Sequence, residues 1–247
     1  MRIEHFDDIV DRIAPNHRSA FCGPTGCGKT VAMGSALKCF DNVVLTSPKR
    51  RWDWRLEPLA DPESWRRKQQ RFSRRAYDVQ ELDRELAAVA RDGSGDPIVF
   101  LPPKLLNEDA HHALLDYPFK RALERGNTLA ATDELFFHSG ANNFRRAAPG
   151  LFFTITTMRE DGCGCMYAFQ RPAWIPVVAL SESEHLFVWY LQDQDDRDAI
   201  DRRAGKERGK NSPIDWGALR ESEHAFVYIT RGYVSEPLVL ELDSEVA

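Results

Sequence analysis

Gly23-Pro24-Thr25-Gly26-Cys27-Gly28-Lys29-Thr30 is the stretch whose reading decides the fold. It matches the pattern G-x-x-x-x-G-K-[ST] at every fixed position. Glycines at 23, 26 and 28 can take backbone angles that turn successive N–H groups toward one anion. Lys29 adds a point charge at the β- and γ-phosphates, and Thr30 offers a hydroxyl to Mg²⁺. Upstream, Ser19, Ala20, Phe21 and Cys22 predict a short buried strand. Downstream, residues 29–39 predict a helix whose N-terminal dipole end faces the phosphates. Strand, loop and helix in this order point to bound ATP with Mg²⁺, the whole loop from Gly23 to Thr30 serving as the phosphate cradle.

A second chemical element lies about a hundred residues further on, in Thr128-Leu129-Ala130-Ala131-Thr132-Asp133-Glu134. It reads as an apolar strand ending in two adjacent carboxylates. Successive strand residues face opposite sides, but at a strand end Asp133 can reach the Mg²⁺ shell shared with Thr30 while Glu134 leans toward the γ-phosphate and polarises a water. That arrangement is one for hydrolysis. A base beside the Mg²⁺ aspartate prepares water as the nucleophile, which would waste ATP in a kinase; a nucleotide switch acting on a protein or small molecule stays open as the alternative.

Composition limits the remaining choices. At 247 residues and 43% hydrophobic content, the chain reads as a single α/β domain spanning 1–247. A formal charge of −5 excludes coating of nucleic acid by bulk electrostatics, so local charge matters more. Five cysteines without metal-ligand spacing read as reduced, and no run is long enough for a membrane span or signal core, so a cytoplasmic location, that of a host cell, is expected.

Around these two elements the rest falls into place. Phe6, Ile9, Val10 and Ile13 predict an N-terminal helix within 1–16. Residues 42–46 predict a second strand and 97–101 another. Asp78 and Glu81 form a capping box for a helix that stops at Asp92-Gly93, and residues 108–124 predict a helix interrupted at Pro118 and closed by Gly126. Residues 142–149 read as a loop or helix end carrying Arg145 and Arg146. Residues 49–75 hold ten basic residues against four acidic ones, interleaved with Trp52, Trp54, Trp65 and Phe72. That mixture suits either nucleic-acid contact or a solvated insertion whose tryptophans cover the sheet. Within 205–247, a basic loop at 205–213 reads as solvated or DNA-facing, and residues 225–229 with 238–242 predict a closing β-hairpin.

The stretch Met158-Arg159-Glu160-Asp161-Gly162-Cys163-Gly164-Cys165-Met166-Tyr167-Ala168-Phe169-Gln170-Arg171-Pro172 resembles the FtsK/HerA superfamily of DNA-pumping ATPases. In that superfamily an Arg precedes G-x-G, and an apolar strand follows that ends in Thr-Gln-Arg-Pro. Residues 183–191 and 195–200 are similar to its closing strand and helix. Three positions depart: Met158 replaces Gly, Phe169 replaces Thr, and Glu160-Asp161 replaces a basic pair. The resemblance implies a RecA-like P-loop NTPase fold, a mostly parallel sheet flanked by helices and followed by the hairpin. It implies double-stranded DNA as the partner and a homo-oligomeric ring, usually a hexamer. Gln170 would sense the γ-phosphate, and Arg159 would serve as a finger across the subunit interface with Arg145 and Arg146 behind it, unless Arg159 pairs within its own subunit. The size resembles that of genome-packaging ATPases of membrane-containing icosahedral DNA viruses, which adds capsid or internal-membrane vertex proteins as expected partners.

Overall fold

Apolar runs without alternation need cover on both faces, and the strands of this chain have it. The structure, a computed structural model, describes residues 6–49, 73–140, 143–157, 159–206, 210–222, 224–231 and 233–240. Trp52, Trp54, Trp65, Phe72 and most of the basic stretch, Met158, Arg208 and residues 241–247 lie outside the described residues, as do the side chains of Arg145 and Arg146. In chain order the elements begin with α1 (Phe6–Val10), β1 (Arg18–Cys22), α2 (Lys29–Leu37), β2 (Val43–Thr46), β3 (Arg74–Ala76), α3 (Val79–Asp92), β4 (Ile98–Phe100), α4 (Glu108–Arg125) and β5 (Leu129–Thr132). A hairpin follows, β6 (Ser139–Gly140) and β7 (Asn143–Ala147), then α5 (Pro149–Thr156), β8 (Gly164–Phe169), α6 (Val177–Ser181) and β9 (His185–Trp189). The chain closes with α7 (Gln194–Arg203), α8 (Trp216–Glu221), β10 (Ala225–Thr230), β11 (Tyr233–Val234) and β12 (Leu238–Val239).

One sheet dominates, in the order β11-β10-β9-β1-β8-β5-β2-β4-β3, with β12 also on β10. From β9 to β3 every pairing is parallel, and β10, β11 and β12 add the antiparallel closing hairpin. The period of two sorts the side chains between two cores. Phe21, Met166 and Phe187 pack with Ile9, Met33 and Leu37 under α1 and α2. Their chain neighbours Ala20, Cys165, Tyr167 and Leu186 pack with Phe119, Leu151, Ile155 and Ile200 under the helices of the opposite face. Helix α3 covers the far end with Leu82, Leu86 and Val89 against Ile98 and Phe100. Its start is capped as expected: Asp78 accepts from the Glu81 N–H at 2.8 Å, and Glu81 accepts from the Tyr77 N–H at 2.8 Å. At its other end Gly93 takes φ 64°, the left-handed angle that glycine adopts without a Cβ penalty.

Three local expectations are corrected. Helix α4 runs unbroken through Pro118. Proline removes one intrahelical hydrogen bond and crowds the preceding turn, yet Leu115, Phe119 and Ala122 on the same helix are fully buried, and that packing outweighs the loss. Residues 143–147, expected as loop or helix end, form β7 and pair antiparallel with β6. The end of the basic stretch, Arg74–Ala76, is an edge strand parallel to β4, because Ala76 fills the buried corner beneath α3 and Arg74 is held by Glu85, Asp92 and Asp96.

Candidate nucleotide site

Parallel strands place all their C-terminal ends on one rim, so residues that follow β1, β8, β5 and β2 converge there. The loop between β1 and α2 uses its glycines for two different reasons. Gly26 and Gly28 have φ 87° and 100°, which other residues rarely adopt. Gly23 instead needs room: a Cβ there would lie 2.7 Å from Cβ of Trp189 and 2.8 Å from Sγ of Cys27. The loop folds over Lys29, whose ammonium donates to the Pro24 carbonyl at 2.5 Å and lies 3.9 Å from the Cys27 thiol. Burial holds Lys29 below the usual lysine pKa, so its charge is costly and available for an anion. Thr30, the second residue of α2, is exposed at the helix start.

The two carboxylates after β5 are buried, each 6% exposed, and each is held by a residue following β2. Ser47 donates its hydroxyl to Oδ2 of Asp133 at 2.8 Å, and Lys49 pairs with Oε2 of Glu134 at 2.9 Å. Oδ1 of Asp133 is buried without a partner. Desolvation pushes the Asp133 carboxyl up to about 6, against the opposing effects of Ser47 and the Lys49 charge. An unpartnered carboxylate oxygen and an exposed helix-start hydroxyl are the donor chemistry that a hard divalent cation takes, so Asp133 and Thr30 fit Mg²⁺. Beneath them the Glu134 N–H donates to the Thr132 hydroxyl at 3.4 Å, and that hydroxyl bonds Nε2 of the fully buried His138 at 2.9 Å.

Gln170, one residue past β8, joins the two halves of the site. Its amide N–H donates to Oε2 of Glu134 at 3.0 Å, and its carbonyl accepts from the Thr25 hydroxyl at 3.2 Å. The residue after it, Arg171, turns away. It bonds Asp196 at 2.5 Å and Asp193 at 3.1 Å and stacks over Trp174 at 5.1 Å. The structure therefore brings together residues 23–30, Asp133, Glu134 and Gln170. Arg159 is elsewhere: it precedes β8, at the opposite end of the strands, where it pairs with Glu184 at 3.0 Å beside Arg18, the first residue of β1. It remains half exposed. Ser47, Lys49 and His138 were not singled out as site residues from the sequence; for Ser47 and Lys49 the one available signal was their position directly after the strand predicted at 42–46.

No protein-family model matches the chain, and no curated protein does. Solved structures do. The genome-packaging NTPase B204 of Sulfolobus turreted icosahedral virus 2, in complex with AMP, superposes with a TM-score of 0.58 at 12% identity, over 90% of this chain and 98% of that one. The same NTPase with ATP-gammaS gives 0.57 at 12% identity, over 93% and 100%. VirB4 of Thermoanaerobacter pseudethanolicus gives 0.56 at 9% identity, over 92% and 89%. Over nine-tenths of its length, then, this chain is similar in fold to a viral genome-packaging NTPase and to VirB4, the direction in which the residues from 158 to 172 also point.

Proposed function

We propose that this chain is an ATPase that couples hydrolysis to movement of double-stranded DNA, and that the DNA is a viral genome being packaged into a preformed capsid. The observation that carries the reading is the link from Thr25 through Gln170 to Glu134, which ties the phosphate loop to a carboxylate able to activate water. Lys29 and the loop amides neutralise the β- and γ-phosphates. Thr30 and Asp133 would hold Mg²⁺, which when bound offsets charge on the phosphate oxygens. Glu134 orients the attacking water and accepts its proton, and Gln170 reports the γ-phosphate to both.

The acting unit is a homo-oligomeric ring, six subunits by resemblance, working in the host cytoplasm against capsid or internal-membrane vertex proteins. Arg159, remote from its own phosphate loop, takes the role of a finger for the next subunit's γ-phosphate, leaving Glu184 to do so. Mixing inactive Arg159→Ala and Glu134→Gln chains should then restore activity; an Arg159→Ala chain that keeps most of its own activity would end that assignment. For the function itself, ATPase rates are compared with and without long duplex DNA. Stimulation supports a motor, whereas an unchanged rate would favour a nucleotide switch.

A further inference from the structure

The segment leaving β2 handles both carboxylates of the site, and its two contacts differ in kind. Ser47 is buried and gives Asp133 one neutral hydrogen bond. Lys49 brings a full charge to Glu134 from a side chain that is 45% exposed, while the Glu134 side chain is 8% exposed. The same oxygen, Oε2, also accepts from Gln170. An oxygen already bonded to an ammonium and an amide N–H has less room to accept from a water, so a Glu134 held this way is less accessible to an attacking water than a released one.

We propose that Lys49 is a positioning residue that restrains Glu134, and that a polyanion engaging the exposed Lys49 ammonium frees the carboxylate for water activation. The inference rests on the reading of the chain as a DNA-dependent ATPase, in which the polyanion is the DNA phosphate backbone. Two features of the structure and one of the sequence favour it. The Lys49 side chain reaches Glu134 from the exposed side of the rim, so an anion has access to it without unfolding the site. Gln170 bonds Glu134 and Thr25 through its own amide, a second hold on the carboxylate that does not depend on the ammonium. The sequence also sets Arg50 and Arg51 directly after Lys49, so the chain carries three consecutive basic residues there.

The test measures kcat and KM for ATP, with and without long duplex DNA, in the full chain and in Lys49→Gln and Lys49→Arg. Binding of a fluorescent ATP analogue checks that each variant is folded. The restraint predicts that Lys49→Gln raises kcat without DNA by about fivefold, the size that a partly exposed ion pair sustains at the upper end of its usual strength. KM stays unchanged, added DNA brings little further gain, and Lys49→Arg behaves like the parent. The gain should also vanish when Glu134→Gln is combined with Lys49→Gln, since it acts through that carboxylate. An unchanged or reduced basal kcat in Lys49→Gln would overturn the proposal. A parent chain indifferent to DNA would instead overturn the motor reading, and the basal rate of Lys49→Gln would still decide the restraint.

Discussion

Asp133 and Glu134 are adjacent, equally buried and differently held. Asp133 keeps an unpartnered oxygen, and burial raises its pKa to about 6. Glu134 is bonded to Lys49 and to the Gln170 that also meets the phosphate loop. Replacing Glu134 with Gln should therefore leave ATP affinity within about twofold while slowing turnover at least ~100-fold, the usual scale for losing a positioned base. A filter-binding titration beside a steady-state assay separates the two, and loss of binding would make Glu134 part of the cradle instead. At this scale the sequence was informative wherever function needs a fixed local pattern. Residues 23–30 and the Asp133-Glu134 pair could be read directly. Ser47 and His138 could not, because a serine after a strand and a histidine on a short helical turn acquire meaning only from the neighbouring strand β5.

Elements were legible where the apolar pattern was strong, as in β1, β2, β4, β5 and α3, while β8 and β9 were read through the resemblance. The pattern misled where one helix supports another. Asp116, on the face of α4 just before Pro118, is buried and accepts the N–H groups of Gly150 and Leu151 at 2.8 and 3.0 Å. It thereby caps α5, whose own N-cap residue is Ala148 and supplies no side-chain bond. The approach is close enough that a Cβ on Gly150 would lie 2.8 Å from Oδ1 of Asp116. Such a cap connects residues more than thirty positions apart, so no local signature announces it. Asp116→Ala should lower unfolding free energy by about 2–3 kcal/mol, because two buried donors at a helix start lose their acceptor. Urea denaturation measures this, and a change below about 0.5 kcal/mol would show that water or a local shift replaces the carboxylate.

For the molecule as a whole, burial of titratable groups sets the response to acid. His138 and His185 are buried neutral, with pKa values lowered to about 3 and about 4 chiefly by desolvation; His185 also faces His17, Glu184 and Tyr228. Between about pH 6 and pH 4 the unfolded chain protonates both while the folded chain does not, which costs stability as pH falls. Asp133 opposes them, since its raised pKa lets the folded chain take a proton that the unfolded chain refuses. Two protons against one make these three groups together cost about 1.4 kcal/mol per pH unit across that window, and His17 and His111, also held below the usual histidine pKa by burial, act in the same direction as His138 and His185. Urea midpoints taken through the window should fall accordingly, and Asp133→Asn should steepen the fall; stability flat or rising toward pH 4 would contradict the protonation states assigned here.

Under the proposed function, ATP turnover moves the protein along a duplex. Displacement of a labelled third strand from a triplex placed far from the DNA end reads that movement directly. The full chain with ATP and Mg²⁺ should release the strand at a time that grows with the length of duplex to be crossed. ATP-gammaS in place of ATP, or the Lys29→Ala variant with ATP, should release none. ATP hydrolysis that proceeds at its full DNA-stimulated rate while the third strand stays bound would contradict translocation.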